Sequence, residues 1–181
     1  NQPTVVVTFH PHPREFLNGR TGRFYLTLPS ERAQVLEMLG IDAVVVLPFD
    51  AQLAALSASV FIGQLVLRLG MIQLWVGHDF ALGRGREGNI TRLQALGQEW
   101  GYQLVTLDPI LENSEAISSS RIRSLISTGE VQQARTLLGR SYQLSGEVVP
   151  GDQRGRRVGI PTANLAVPPG KLIPAPGVYA C

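Results

Sequence analysis

Apolar positions change period along this chain. Four short, largely apolar and β-branched runs stand at residues 4–9, 43–47, 72–76 and 103–107, and longer stretches between them repeat their apolar residues at helical spacing. Leu-Pro-Ser-Glu opens one such stretch over residues 29–39, with Leu36, Met38 and Leu39 available to a core; residues 58–69 and 90–100 carry two more. Strand and helix patterns in alternation predict an α/β fold with a parallel sheet, and strands this apolar are expected to be covered on both faces. Beyond the fourth strand, residues 118–126 and 130–138 read as two short helices parted by Ser-Thr-Gly. From Ser141 the pattern shifts to Tyr-Gln-Leu-Ser-Gly-Glu-Val-Val, a Gly/Arg-rich turn, Pro-Thr-Ala-Asn-Leu and a strand-like Gly-Val-Tyr-Ala, with six prolines between Pro150 and Pro176. Short strands with irregular connections predict the start of a small antiparallel β-barrel. The division falls at 1–139 and 140–181.

Composition narrows the classes. With 44% hydrophobic and 17% charged residues the chain reads as a water-soluble globular protein, and no run reaches the roughly 18 apolar residues of a membrane span. The start, Asn-Gln-Pro-Thr, has no initiator methionine and no secretory pattern, and the sequence reads as a fragment lacking both ends. The only cysteine is Cys181, which precludes an intrachain disulfide and fits a cytoplasmic setting. Net charge is +2, so nucleic-acid binding is not expected, and no stacking aromatics interleave with the basic residues. The cations are fifteen arginines and one lysine, Lys171. Arginine presents a rigid donor fork suited to phosphate, and arginines stand beside glycine or serine at Arg84 and Arg86, at Arg121 and Arg123, and at Arg154, Arg156 and Arg157.

Four stretches carry candidate chemistry. Thr8-Phe9-His10-Pro11-His12-Pro13-Arg14-Glu15-Phe16 leaves the C-terminal end of a buried strand, where open α/β sheets bind ligands, and its prolines make a stiff platform for a flat ring. The His-x-His pair has no carboxylate or cysteine cluster beside it and is not read as a metal site. Residues 76–89 leave another strand with four glycines; Asp79 is placed to accept from a hydroxyl or base and the arginines to reach phosphates, although a surface loop accounts for the pattern equally. Ile117-Ser118-Ser119-Ser120-Arg121-Ile122-Arg123 opens a helix with capping serines at an anion-favouring end, and one of the two arginines faces a given phosphate. In residues 151–164 three glycines at four-residue spacing form a loop able to wrap a diphosphate, with Thr162 and Asn164 as neutral oxygen ligands for Mg²⁺ or phosphate.

In this order the motifs resemble the bacterial bifunctional riboflavin kinase and FAD synthetase (FMN adenylyltransferase) family. Thr-Phe-His-Pro-His-Pro, Gly-x-Asp-Phe-x-x-Gly at residues 77–83, Ile-Ser-Ser-Ser-x-Ile-Arg at 117–123, Leu-Leu-Gly-Arg-Ser-Tyr at 137–142, and Gly-x-x-x-Gly-x-x-x-Gly-x-Pro-Thr-Ala-Asn followed by Pro-Gly-Val-Tyr carry the likeness. The resemblance implies a Rossmann-like nucleotidyltransferase sheet followed by the start of a riboflavin kinase barrel. It implies two Mg²⁺-dependent reactions with ATP: phosphorylation of riboflavin to FMN, then adenylylation of FMN to FAD with release of pyrophosphate. His10, Pro11, His12, Pro13 and Phe16 would seat the flavin, and Gly77, Asp79 and Phe80 would line a shared nucleotide and flavin cleft, Phe80 on the flavin. Ser119, Ser120 and Arg123 would hold ATP phosphates; Gly151, Gly155 and Gly159 would wrap the second nucleotide, with Thr162 and Asn164 at Mg²⁺.

The family's His-x-Gly-His motif and its kinase glutamate are expected outside the two ends, which leaves the catalytic residues unassigned and predicts weak or absent turnover by residues 1–181 alone. Two other readings compete: a different small-molecule adenylyltransferase, which the Pro-Thr-Ala-Asn stretch opposes, and a flavin- or nucleotide-binding protein without turnover.

Overall fold

A computed structural model describes residues 2–19, 21–151, 159 and 162–180. The chain divides into two compact units, one formed by Val6–Gly19 and Val45–Ala116 and the other by Asn1–Val5, Arg20–Val44 and Ile117–Cys181.

Two strand pairs have the predicted parallel sense. Strands β1 (Val5–His10) and β2 (Ala43–Pro48) are hydrogen-bonded neighbours. Ala43 donates to the Thr4 carbonyl at one end and Phe49 to the His10 carbonyl at the other, so both run the same way. Strand β3 (Gln73–Gly77) pairs in parallel with β4 (Gln103–Leu107), with Trp75 opposite Val105.

In the unit containing Val45–Ala116, the core lies between helices α4 (Ala58–Leu69) and α5 (Ile90–Trp100). Ala58, Ile62, Leu93, Leu96 and Tyr102 are buried together, with Leu74 and Leu104 packed on them. Positions 58, 61, 62 and 65 repeat at helical spacing and so present one apolar stripe to that core. Side chains alternate along a strand, so Leu74 and Val76 face inward while Trp75 remains 58% exposed. The expectation of strands covered on both faces is thereby corrected, since Val5, Val46 and Leu107 are also exposed. Ser57 and Asn89 cap α4 and α5 by accepting from the Val60 and Arg92 amides.

The other unit holds helices α2 (Pro29–Met38), α6 (Ser119–Thr128) and α7 (Val131–Leu138) and the antiparallel pair β7 (Glu147–Val149) and β8 (Asn164–Ala166). Ile122, Ile126, Ala134, Leu137 and Leu172 form its core. Met38 and Leu39, expected as core residues, lie at the end of α2 with 75% and 73% exposure, because only the Leu36 side of that turn is inward. Residues 177–180, expected as strand, carry none, and Val178 is fully exposed.

The sequence reading missed helices α1 (Pro13–Asn18) and α3 (Ala51–Ala55) and a hairpin of β5 (Leu111–Glu112) and β6 (Glu115–Ala116). Asp50 caps α3 through the Leu53 amide. Asn113 and Ser114 form the hairpin turn with φ of 53° and 64°, the positive values that a two-residue type I′ turn requires.

Candidate functional site

The His-Pro-His-Pro segment starts on β1 and ends as a helix. His10 closes the strand, and Pro13 occupies the first turn of α1, where a missing N–H costs nothing. His12 is the cap of that helix: its Nδ1 accepts from the Arg14 amide at 3.1 Å. That nitrogen is committed to the backbone, a structural task at a position selected for ligand binding. Phe16 follows on this short helix α1 and is 44% exposed.

The turn is backed by aromatic rings. Phe49 meets Phe16 edge-on at 5.8 Å and Phe9 edge-on at 5.6 Å, and Phe9 lies 6.2 Å from Phe61. Edge-to-face contacts hold ring orientation as well as burying area. Phe16 thus stands half open on a packed base. Phe49, two residues before helix α3, is the member the sequence reading missed; its signal was its position just past the end of the neighbouring parallel strand.

Residues 77–89 form a tied loop. Leu82 and Gly88 exchange backbone hydrogen bonds at 3.2 and 2.9 Å, the Arg84 amide donates to the Leu56 carbonyl at 2.8 Å, and Glu87 Oε1 accepts from the Ala58 amide at 2.9 Å. Two of its glycines serve packing. A Cβ at Gly83 would stand 2.6 Å from the Ala58 nitrogen, and one at Gly88 would stand 2.6 Å from the Ala58 methyl and 2.9 Å from the Leu82 carbonyl. Arg86, read as a phosphate ligand, donates Nη2 to the Asp79 carbonyl at 3.2 Å and so braces the loop. Gly77 ends β3, while Asp79 and Phe80 in the turn that follows are exposed. A depression of about 220 Å³ lined by Ser57, Ser59, Glu87 and Arg92 adjoins the starts of α4 and α5 and contains none of the residues chosen from the sequence.

Ser118 caps α6 through the Arg121 amide at 3.2 Å. Ser119 and Ser120 form the first two positions of that helix and are exposed, at the end where the helix dipole favours an anion. Arg123 is half-buried; its Nε donates to the Phe24 carbonyl at 2.8 Å and its guanidinium lies 6.0 Å from the Phe24 ring centre. Phe24 in turn stacks on Tyr25 at 4.4 Å.

Of the last motif, Gly155, Arg154, Arg156 and Arg157 lie outside the described residues. Gly151, Gly159, Thr162 and Asn164 are exposed. Asn164 begins β8 opposite Val149, and its amide lies over Gly151, where any Cβ would collide with it. No group of three or more His, Cys, Asp or Glu side chains able to hold a metal occurs among the described residues. The neutral oxygens of Thr162 and Asn164 match the few protein ligands that Mg²⁺ takes when phosphates and water supply the rest.

Comparison with known proteins decides the family. A model described as FAD synthetase matches residues 1–121, and one described as riboflavin kinase matches residues 138–181. The chain belongs to the FAD synthetase family. Its relatives include a bifunctional riboflavin kinase/FMN adenylyltransferase of Escherichia coli strain K12, 36% identical over 99% of this chain and 58% of the relative. A protein of the same description from Listeria monocytogenes is 38% identical over 98% of this chain and 56% of the relative. The chain thus spans a little over half the length of these curated relatives. A crystal structure titled macrolide-efflux protein from Streptococcus pneumoniae superimposes with a TM-score of 0.86 at 30% identity, covering 98% of this chain and 58% of that one. The fold is accordingly a nucleotidyltransferase-like α/β region followed by the start of a riboflavin kinase module. No described helix is long and apolar enough to cross a membrane.

Proposed function

We propose that the protein acts in flavin-cofactor synthesis as a transferase of phosphorus-containing groups. It transfers the γ-phosphoryl group of ATP to the ribityl hydroxyl of riboflavin, giving FMN and ADP. An oxygen of the FMN phosphate then attacks the α-phosphorus of a second ATP, the bond to the β-phosphate oxygen breaks, and FAD and pyrophosphate form. The observation that carries this reading is the succession of FAD synthetase and riboflavin kinase matches along one chain, in the company of relatives named for both activities.

The described residues bind and orient in this scheme. His10, Pro11, His12, Pro13 and Phe16 offer the flavin a stiff edge and an aromatic face, backed by Phe49. Phe80 gives a second exposed ring, with Gly77 and Asp79 on the nucleotide beside it. Ser119 and Ser120 donate to phosphate at the start of α6, with Arg123 supplying charge. Gly151 and Gly159 are placed to approach the kinase nucleotide closely, together with Gly155, which lies outside the described residues, and Thr162 and Asn164 would hold the Mg²⁺ that arrives with ATP. Phosphoryl and adenylyl transfer require positioning and charge stabilisation more than covalent help from the protein, and this residue set fits that demand.

Flavin fluorescence tests the reading. Titrated with FMN, the protein is expected to quench it saturably, and Phe16→Ala is expected to weaken binding about tenfold, the loss of roughly 1.4 kcal/mol of ring contact. Binding unaltered by Phe16→Ala would remove this aromatic base from the site.

A further inference from the structure

The only lysine of the chain is the most deeply buried charge among the described residues. Lys171 is 1% exposed, lies in the segment matching riboflavin kinase, and reaches into the segment matching FAD synthetase. Its Nζ donates to Glu31 Oε2 at 2.6 Å and to the Leu26 carbonyl at 2.9 Å, and it stands 4.8 Å from the centre of the Tyr142 ring. Glu31 Oε2 also accepts from the Leu28 amide, fixing the first turn of α2.

The backbone runs with it. Residues Phe24 and Tyr25 both donate to the Gly170 carbonyl at 2.8 Å, Leu172 donates to the Tyr25 carbonyl at 2.9 Å, and Tyr25 and Lys171 form a parallel bridge. The far side of the same segment is the Phe24 carbonyl that receives Arg123 Nε. One short strand-like stretch is therefore clasped on one side by residues 170–172 and on the other holds the arginine of the Ser-Ser-Arg helix. All of these contacts lie within one compact unit.

We infer that Lys171 is a positioning residue for adenylyl transfer: from within the riboflavin kinase segment it fixes Phe24–Leu26, and through the Phe24 carbonyl it sets the aim of Arg123 at ATP. The inference rests on the functional reading above. A buried lysine serving only stability would be replaceable by a well-packed apolar residue, since a buried ion pair is seldom worth more than its hydrophobic substitute. The consequence is specific: disturbance at residue 171 is felt at the adenylyl step and not at the neighbouring kinase step.

The test uses the product of the complete reading frame, assayed separately for riboflavin phosphorylation and FMN adenylylation. Lys171→Met with Glu31→Gln removes the pair without leaving a buried unpaired charge. It is expected to raise KM for ATP in adenylylation about tenfold with kcat within about twofold, and to leave the KM for ATP in riboflavin phosphorylation unchanged. Arg123→Lys is expected to give the same defect, and combining it with the pair variant to add little further, as for residues on one line of contact. Lys171→Arg, which keeps a cation beside Glu31 while altering its reach to the Leu26 carbonyl, should move the same KM in the same direction and decides the matter where the double variant does not fold. An unchanged ATP KM, or a loss shared equally by both activities, would overturn the inference. Wild-type protein that makes no FAD would instead overturn the functional reading first, before any variant is compared.

Discussion

Residue by residue, this protein assigns many of its chemically suggestive side chains to holding the backbone. His12 caps α1, Arg86 braces Asp79, and Arg123 is anchored on Phe24. A motif read from sequence reports residue type and spacing, and neither distinguishes a group aimed at a ligand from one aimed at a carbonyl. Lys171 could not have been found that way: an isolated lysine between proline-rich turns has no pattern, and only the fold brings it to Glu31, 140 positions away. Removing one partner of such a buried pair typically costs about 3–5 kcal/mol. Lys171→Met is accordingly expected to lower the urea unfolding midpoint sharply, and Lys171→Met with Glu31→Gln to recover a good part of that loss. Equal stabilities of the two variants would show that the pair is not buried in solution.

Tyrosine supplies a pH signature at the same scale. Burial, together with the nearby Glu31 carboxylate, pushes the Tyr142 hydroxyl above its ordinary value despite the opposing influence of Arg140, and burial does the same to Tyr102. Each hydroxyl is also a donor, Tyr142 to the Leu172 carbonyl at 2.7 Å and Tyr102 to the Leu93 carbonyl at 2.5 Å. The unfolded chain releases these protons near pH 10 whereas the folded chain retains them, so stability is complete below about pH 10 and declines as pH rises past it. Unfolding free energy measured against pH is expected to fall less steeply in that alkaline range for Tyr142→Phe than for the wild type.

Among the elements, long periodic stretches were fully legible and short capped ones were not. Residues 58–69 and 90–100 form helices at the expected bounds because their apolar stripe, capping Ser57 or Asn89, and terminal glycine agree. Helix α1 has six residues and no buried position, so no period announces it; the His-Pro start was the available signal. The exposure of Met38 and Leu39 was likewise unreadable, because periodicity identifies an apolar stripe without saying how far along the helix the core extends. Tight approach of elements is the third property hidden from sequence. Gly88→Ala is expected to destabilise the protein by about 1–3 kcal/mol and to raise susceptibility of residues 77–89 to limited proteolysis, since the added methyl meets Ala58 and the Leu82 carbonyl. An intact loop with unchanged stability would mean that α4 and the loop stand further apart than described.

At the scale of the molecule, the order of motifs proved more informative than any single one. The serine-rich helix start alone fits an ordinary surface helix, and the glycine loop alone fits a turn; their succession, with the Pro-Thr-Ala-Asn stretch after them, identifies the family that the comparisons establish. What the order could not supply is how closely the two matched segments are knit. Gly170, Lys171 and Leu172, from the riboflavin kinase match, hydrogen-bond to Phe24, Tyr25 and Leu26 from the FAD synthetase match, and Ala175 donates to the Ile126 carbonyl of α6. Motif order is a one-dimensional signal and carries none of these pairings.

The central claim is flavin adenylylation fed by flavin phosphorylation, and product analysis tests it most directly. The product of the complete reading frame is incubated with riboflavin, ATP and Mg²⁺, and flavins are separated over time. The account predicts that FMN appears first, that FAD follows at its expense, and that pyrophosphate accumulates in step with FAD. Riboflavin recovered unchanged, together with FMN supplied separately and recovered unchanged, would contradict it.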